Sequence, residues 1–244
     1  MAAPTVLTNA TIWLGGYDLT ASTNEVTFNA ARQENAVSRF GDTIEATYPG
    51  AQTVGAEVKG FWDSTLDGPL HSNLMTPAVW PLTICPDGAD DGEVAWGIQS
   101  YTFNYSVTEA TWGQSLPYRL MGKSRSGDRL CRGLVMGEKA TRTSNIAMGG
   151  KHQMGAISAT QKMIAVVQVF AIVGGSWNVL VMSDADSSPG GDTARATVAG
   201  ITTAPSYRIV EVAGPITDTW WQAANTHTGG TSVTASATFA IVDV

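Results

Sequence analysis

The stretch Thr53–Ser64, TVGAEVKGFWDS, constrains the fold more than any other part of the chain. Val54, Ala56, Val58 and Trp62 fall on one side of an extended backbone, and Glu57, Lys59 and Asp63 fall on the other. A period of two is the mark of a β-strand with one buried face. Gly60, just before the paired aromatics Phe61 and Trp62, leaves room for a neighbouring backbone. Asp63–Pro69 reads as an acidic turn and Leu70–Met75 as a short helix. The expectation is an all-β chain with one short helix: a β-sandwich domain carrying the helix, followed by a second β-sandwich domain.

Upstream of this strand, Ile12–Leu14 is extended, bends at Gly15–Gly16 and resumes at Tyr17–Leu19. A second strand alternates Val26, Phe28 and Ala30 with Thr27, Asn29 and Ala31, and a third extended piece spans Ala36–Phe40. Gly41–Gln52 is polar and aperiodic, with Pro49–Gly50 near its end. It predicts a long loop or projecting hairpin, and loops of that length in compact domains are usually functional.

Downstream, Pro81 places the strand Val79–Cys85 at a sheet edge or marks a strand start. The turn Pro86–Glu93 is rich in acids but lacks the ligand spacing of an EF-hand, so a solvated hairpin turn is expected there rather than calcium. In Val94–Thr111, Val94, Trp96 and Ile98 share one face, while Tyr101, Phe103, Tyr105 and Val107 share the other. A bulge near Gln99–Ser100 reconciles the two halves. The aromatic series has no basic residue between Val94 and Trp112, which argues for core packing over base stacking. Trp96 and Phe103 therefore join Val58 and Trp62 in the expected core. Ser115–Gly122 and Asp128–Met136 follow as strands.

Gly137–Gly150 is a shift to small, polar residues and is the expected boundary, with one domain at 1–140, a linker at 141–150 and a second domain at 151–244. Met163–Val173 is apolar on both faces except for Gln168, as in a central strand covered on both sides, with Val167 in the core. Gly174–Ser176 reads as a hairpin turn into Trp177–Met182, and Ser183–Asp192 as a flexible acidic loop. Further strands are Ala194–Val198, Tyr207–Val212, Thr219–Ala224 and Ser232–Val242. In the last, Val233, Ala235, Ala237, Phe239 and Ile241 alternate strictly with small residues, which puts Phe239 in the core. Short strands separated by Gly/Pro turns point to sandwiches, and two β domains of similar size raise the idea of a duplication.

Only 14% of residues are charged, against about 25% in an average globular chain. So few charges suit a surface covered by neighbouring subunits. The net charge is -7, and the loose run Lys123, Arg125, Arg129, Arg132 is no basic patch, so tight nucleic-acid binding is not expected. The sign is compatible with repelling nucleic acid or letting it slide past. His71, His152 and His227 are dispersed, with no nucleophile elbow beside them, and Asp90–Asp91 sits in a turn. No catalytic residue, metal site or cofactor is expected, and an enzyme is disfavoured. Cys85 and Cys131 lack C-x-x-C spacing; they read as two free thiols or one disulfide. The start MAAPTVLTNA carries no secretory signal pattern, and no apolar run is long enough for a membrane span.

The segments GGYDLTASTNEVTF, TVGAEVKGFWDS and PLTICPDGADDGEVAWGIQS resemble the major tail protein, or tail tube protein, of long-tailed non-contractile bacteriophages (siphophages). QMGAISATQKMIAVVQVFAIVGGSWNVLVMSD and VAGPITDTWWQAA are similar to the second half of the longer members. Ser183–Asp192 and Thr226–Gly230 match nothing in that pattern. The resemblance implies a structural virion protein, made in the host cytoplasm, whose copies form stacked rings around a hollow tube that delivers DNA. It implies rings of three chains if both halves are tube domains, or six if the second is a decoration. Contacts between rings would come from Met1–Thr11 and from the long loop, through Thr43, Ile44, Glu45, Tyr48 and Pro49. Deleting Met1–Thr11 is expected to leave a folded protein that no longer polymerises. Implied partners are further copies, tape-measure and tail-terminator or tip proteins, and DNA passing without specific binding, with no membrane. The competing readings are a capsid decoration or minor tail protein, and a carbohydrate-binding tail module suggested by Trp220–Trp221.

Overall fold

The computed structural model describes residues 9–37, 46–107, 114–124, 130–188 and 190–244. In chain order the elements are β1 (Thr11–Leu14), β2 (Tyr17–Asp18), β3 (Thr23–Val37), β4 (Ala46–Phe61), α1 (Ser64–Met75), β5 (Trp80–Cys85), β6 (Val94–Val107), β7 (Pro117–Ser124) and β8 (Cys131–Arg142). They continue as β9 (Ile146–Ala147), β10 (His152–Gln153), β11 (Gln161–Val173), β12 (Ser176–Asp184), β13 (Thr193–Ile201), β14 (Ser206–Ala213), β15 (Trp220–Thr228) and β16 (Ser232–Asp243). The chain is all-β with a single α-helix among the described residues, and the strand pairings are antiparallel.

Two compact units interleave along the sequence. One comprises Met1–Ala21, Pro81–Gly97 and Cys131–Val244; the other comprises Ser22–Trp80 and Ile98–Leu130. The larger unit is a sandwich. Its first sheet runs β14-β11-β16-β8-β6-β5-β1-β2, and its second runs β10-β15-β12-β13 with β9 on β15. The inner faces of β11, β16 and β8 meet those of β12, β13 and β15 around Trp177, Trp221, Phe239, Met136 and Met163, all fully buried. Burying side chains of this size contributes about 1.5–3 kcal/mol each.

Several expectations acquire a physical cause here. Gln168, the polar interruption in β11, is 1% exposed. Its Nε2 donates to Thr83 Oγ1 at 3.0 Å and its Oε1 accepts from Gly16 N at 3.0 Å. The side chain therefore stitches β11 to β5 and to the β1–β2 turn. Pro81 falls at the second residue of β5, a strand that lies between β6 and β1, so the strand-start reading applies and the edge reading does not. Gly174 and Gly175 do not close a hairpin. β11 pairs with β14 and β16, whereas β12 pairs with β13 and β15. The two glycines, with φ of 66° and 64°, carry the chain from one sheet to the other. A Cβ on Gly175 would lie 2.2 Å from Gly230 N.

The boundary expected at 141–150 falls inside this unit. β8 continues to Arg142, whose buried guanidinium donates to the carbonyls of Glu138, Ala140, Ala235 and Met148. Met148 N donates to Ala223 O, and Asn225 Nδ2 to Ser144 O. The stretch that reads as linker composition supplies the carbonyls of Glu138, Ala140 and Met148 to a buried cation.

The smaller unit is the sheet β3-β4-β7-β6, with β6 contributing Ile98–Val107. Val54, Ala56 and Val58 of β4 and Tyr118 and Leu120 of β7 form its buried face. A Cβ on Gly60 would lie 1.8 Å from Ser22 O, so the close backbone approach expected there is present. The helix begins earlier than expected. Asp63 caps it, its Oδ1 accepting from Thr65 N at 2.7 Å, and Pro69 is accommodated inside it. Tyr105 Oη donates to Asp67 Oδ1 at 2.7 Å and ties the helix to β6.

Candidate assembly surface

β3 pairs with β4 from Thr23 opposite Gly60 to Val37 opposite Ala46. β7 flanks β4 only across Gly55–Phe61. Beyond Gly55, β4 has β3 as its sole strand partner among the described residues. None of the described side chains of β3 is buried, and Asn29 through Glu34 are exposed on both faces. Among the described side chains, the outer half of this pair is thus a two-stranded ribbon without a core. Such a ribbon is marginal in water by itself, and its free edges are templates for further strands. The ladder is irregular between Arg32 and Glu34, with Pro49 opposite Glu34. Proline has no amide hydrogen to donate, and breaks in the ladder are where a strand tolerates it.

The outward face of the same sheet carries a ladder of paired charge. Lys59 Nζ lies 2.7 Å from Glu25 Oε1 and 3.4 Å from Glu57 Oε1. Arg119 grips Glu57 with both arms, Nε to Oε1 at 2.6 Å and Nη2 to Oε2 at 3.1 Å. The Arg119 hydrogen bonds hold the Glu57 carboxyl below the usual carboxylate range, and Glu25 holds the Lys59 ammonium above its ordinary value. Beside the ladder a groove of about 480 Å³ runs over Gly55, bordered by Phe103 and Met121.

The predicted residues are distributed as follows. Val58, Val167 and Phe239 are buried, and Trp96 is half-buried with the Arg132 guanidinium 5.9 Å from its ring centre. Two of the expected core residues are not core. Trp62 is 39% exposed, because β4 ends at Phe61 and Asp63 already caps the helix. Phe103 is 57% exposed; it is the unpaired residue where the β6–β7 register shifts, between Thr102 and Asn104. That bulge lies beyond the expected Gln99–Ser100; with the register regular over Ser100–Thr102, Ile98, Ser100 and Thr102 keep the buried face and plain alternation leaves Phe103 on the other. Thr43, Ile44 and Glu45 lie outside the described residues. Tyr48 and Pro49 are in β4, opposite Asn35 and Glu34, so residues 46–52 are strand and the hairpin form of the earlier reading applies to them.

Trp221 is buried, its Nε1 donating to Gly155 O at 2.9 Å, and Trp220 is half-buried. His152 Nε2 lies 3.0 Å from Asp91 Oδ2, and His227 stacks on Trp177 with ring centres 4.5 Å apart. Lys151 Nζ joins Asp184 Oδ2 at 2.5 Å and Asp192 Oδ1 at 3.0 Å. Among the described residues no three His, Cys, Asp or Glu side chains are placed to hold a metal, and no helix is long and apolar enough to cross a membrane. No disulfide joins Cys85 and Cys131, and burial pushes the Cys85 thiol up to about 12. The groove escaped sequence reasoning. Its one signal is Gly55, a residue without a side chain between Thr53 and Glu57 in the outward-facing row.

No protein-family profile matches the chain, and no curated protein matches it. Among solved structures it superposes on a chain from the virion of a native gene transfer agent particle (11% identity, TM-score 0.43, covering 52% of this chain and 98% of that one). It superposes similarly on a chain from the baseplate of the anti-feeding prophage (10% identity, TM-score 0.41, 53% and 97%). The Dit protein of phage SPP1 aligns over nearly the whole length (10% identity, TM-score 0.35, 96% and 99%). At these scores the likenesses carry no functional weight.

Proposed function

We propose that this chain is a structural tail protein of a phage-like particle, whose copies join into rings that stack as a hollow tube for DNA. The observation that carries this reading is the coreless β3–β4 ribbon. The eight residues Ala30–Val37 of β3 run beyond Gly55, the last β4 residue paired with β7, and the described side chains among them are exposed, so a neighbouring copy is the natural cover. A surface with only 14% charged residues suits such coverage.

Tyr48 and Pro49 lie toward the far end of this ribbon, and together with Thr43, Ile44 and Glu45 they are the proposed contacts between rings. A head-to-tail contact between identical copies closes into a ring when its rotation permits, with three or six chains. The net charge of -7 favours passage of DNA without adhesion. Tape-measure and terminator or tip proteins are the proposed partners, the virion tail is the proposed location, and no enzymatic activity is assigned.

Negative-stain electron microscopy of the concentrated protein tests this reading. Rings or hollow tubes are expected, and their rotational symmetry decides between three and six chains. A variant with residues 33–51 replaced by a two-residue turn should remain folded and dispersed. Dispersed single copies of the full chain at every concentration, and in the presence of the cognate tail-tip complex, would overturn the proposal in favour of a decoration or minor tail protein.

A further inference from the structure

We infer that the groove on the outward face of the β3-β4-β7-β6 sheet binds a neutral oligosaccharide. The groove encloses about 480 Å³, inside the range of roughly 300–1,000 Å³ typical of small-ligand clefts. Its floor is Gly55. Asn29 of β3 and Lys123 of β7 sit directly across from it on either side, and no side chain rises between them.

Phe103 forms one wall. The bulge in β6 lifts it out of the ladder and leaves it 57% exposed. Tyr101 meets it edge-on, with ring centres 6.5 Å apart and planes at 82°, which fixes the ring beside the trough. An exposed aromatic held in place offers a flat apolar surface to the C–H face of a pyranose, and its entropic cost of use is small because the ring is already oriented.

The remaining lining supplies the polar half of sugar recognition. Thr27, Asn29, Thr53 and Asn104 border the groove and are exposed. Their side chains have no hydrogen-bond partner among the described residues. Hydroxyls and amides present donors and acceptors together, as sugar hydroxyls do. The carboxylate at the groove, Glu57, is already spent on Arg119 and Lys59, so it does not call for a cationic ligand. Lys123 lies 5.8 Å from the Phe103 ring centre and contributes the one positive charge at the rim. An extended peptide is disfavoured because the groove lies on a sheet face, where main-chain hydrogen bonds of the ladder are already made; strand addition needs an edge. The site needs only one copy of the chain; because Asn29, Ala31 and Thr53 also lie on the ribbon proposed to be covered by a neighbouring copy, the titration is run on dispersed single copies.

The test is calorimetric titration of the full-length protein with maltotriose, cellotriose and chitotriose, alongside trigalacturonate as an anionic probe and a neutral pentapeptide. Saturable binding of at least one neutral trisaccharide is expected, in the millimolar range of a shallow cleft. Phe103→Ala and Asn104→Ala should each weaken it about tenfold or more while the melting temperature stays unchanged, because both side chains are exposed. Absence of saturation by all three neutral sugars up to about 10 mM overturns the proposal, as does binding that survives Phe103→Ala. Preferential binding of trigalacturonate, lost in Lys123→Ala, would make the groove an anion site. Binding of the pentapeptide alone would make it a peptide site.

Discussion

Gln168 and Thr83, 85 positions apart in sequence, share a buried hydrogen bond of 3.0 Å. The same amide accepts from Gly16 N, so one side chain satisfies a group on β5 and another in the β1–β2 turn. Gln168→Leu removes both bonds and strands Gly16 N and the Thr83 hydroxyl away from water. Each unsatisfied buried group costs about 1–3 kcal/mol. The variant should therefore unfold at clearly lower denaturant concentration, with an unchanged slope. The double variant Gln168→Leu, Thr83→Val should lose less than the sum of the two single losses, because both changes delete the same bond.

Arg142 is the second long-range fastening. Its guanidinium is buried and donates to four carbonyls, and burial lowers its pKa from the usual value. Arg142→Met leaves those carbonyls without their donor. Hydrogen bonds to a charged group contribute about 1.5–3 kcal/mol each, so the loss should exceed about 2 kcal/mol in equilibrium denaturation. Lys has fewer donors in a different geometry, and Arg142→Lys should recover only part of the stability. Full recovery by Lys would show that charge, not the four-carbonyl geometry, is what matters.

Stability in the acid range should depend on Lys151. Hydrogen bonding from Lys151, followed by backbone donors at Asp186 and Ala185, holds the Asp184 carboxyl below the usual range despite the opposing effect of burial. A depressed folded-state pKa means that the pair's contribution is complete above the unfolded value of about 4. It is lost as pH falls from there through the lower folded value. Lys151→Met should flatten the fall in melting temperature below about pH 4 relative to the unaltered protein. Parallel pH profiles for the two proteins would remove Lys151–Asp184 from the account.

Much of the fold is legible in the residues because the strands obey a strict period of two. Val233, Ala235, Ala237 and Phe239 announce β16, and Val54, Ala56 and Val58 announce the buried face of β4. What period alone cannot supply is the local break in it. Phe103 reads as core only while a bulge is placed at Gln99–Ser100; the register is regular there, so Ile98, Ser100 and Thr102 hold the buried face and Phe103 falls on the other. Trp62 reads as core until the helix start is fixed by Asp63. Gly174–Gly175 reads as a hairpin because a turn between two strands looks the same locally whether it stays within a sheet or crosses to the next. The groove was hidden for the same reason: it is made by a bulge on β6 and a missing side chain on β4, which are distant in sequence.

On the assembly proposed above, the free edge of the β3–β4 ribbon has to be available to a neighbouring copy yet resist random pairing. Pro49 answers the second need. It lies opposite Glu34, where the ladder loses register, and it removes one amide donor from a long two-stranded stretch. Prolines at exposed edges limit edge-to-edge association. Pro49→Ala restores a donor at that position without adding bulk, and should increase non-specific association. Light scattering at fixed concentration is expected to rise earlier and faster than for the unaltered protein, and electron microscopy should show irregular aggregates in place of uniform rings. Pro49→Lys, which restores the donor but adds an edge charge, should lie between the two. If Pro49→Ala assembles with unaltered kinetics and morphology, then the register break, and not the missing amide, is what protects the edge, and inserting a residue to repair the break becomes the decisive variant.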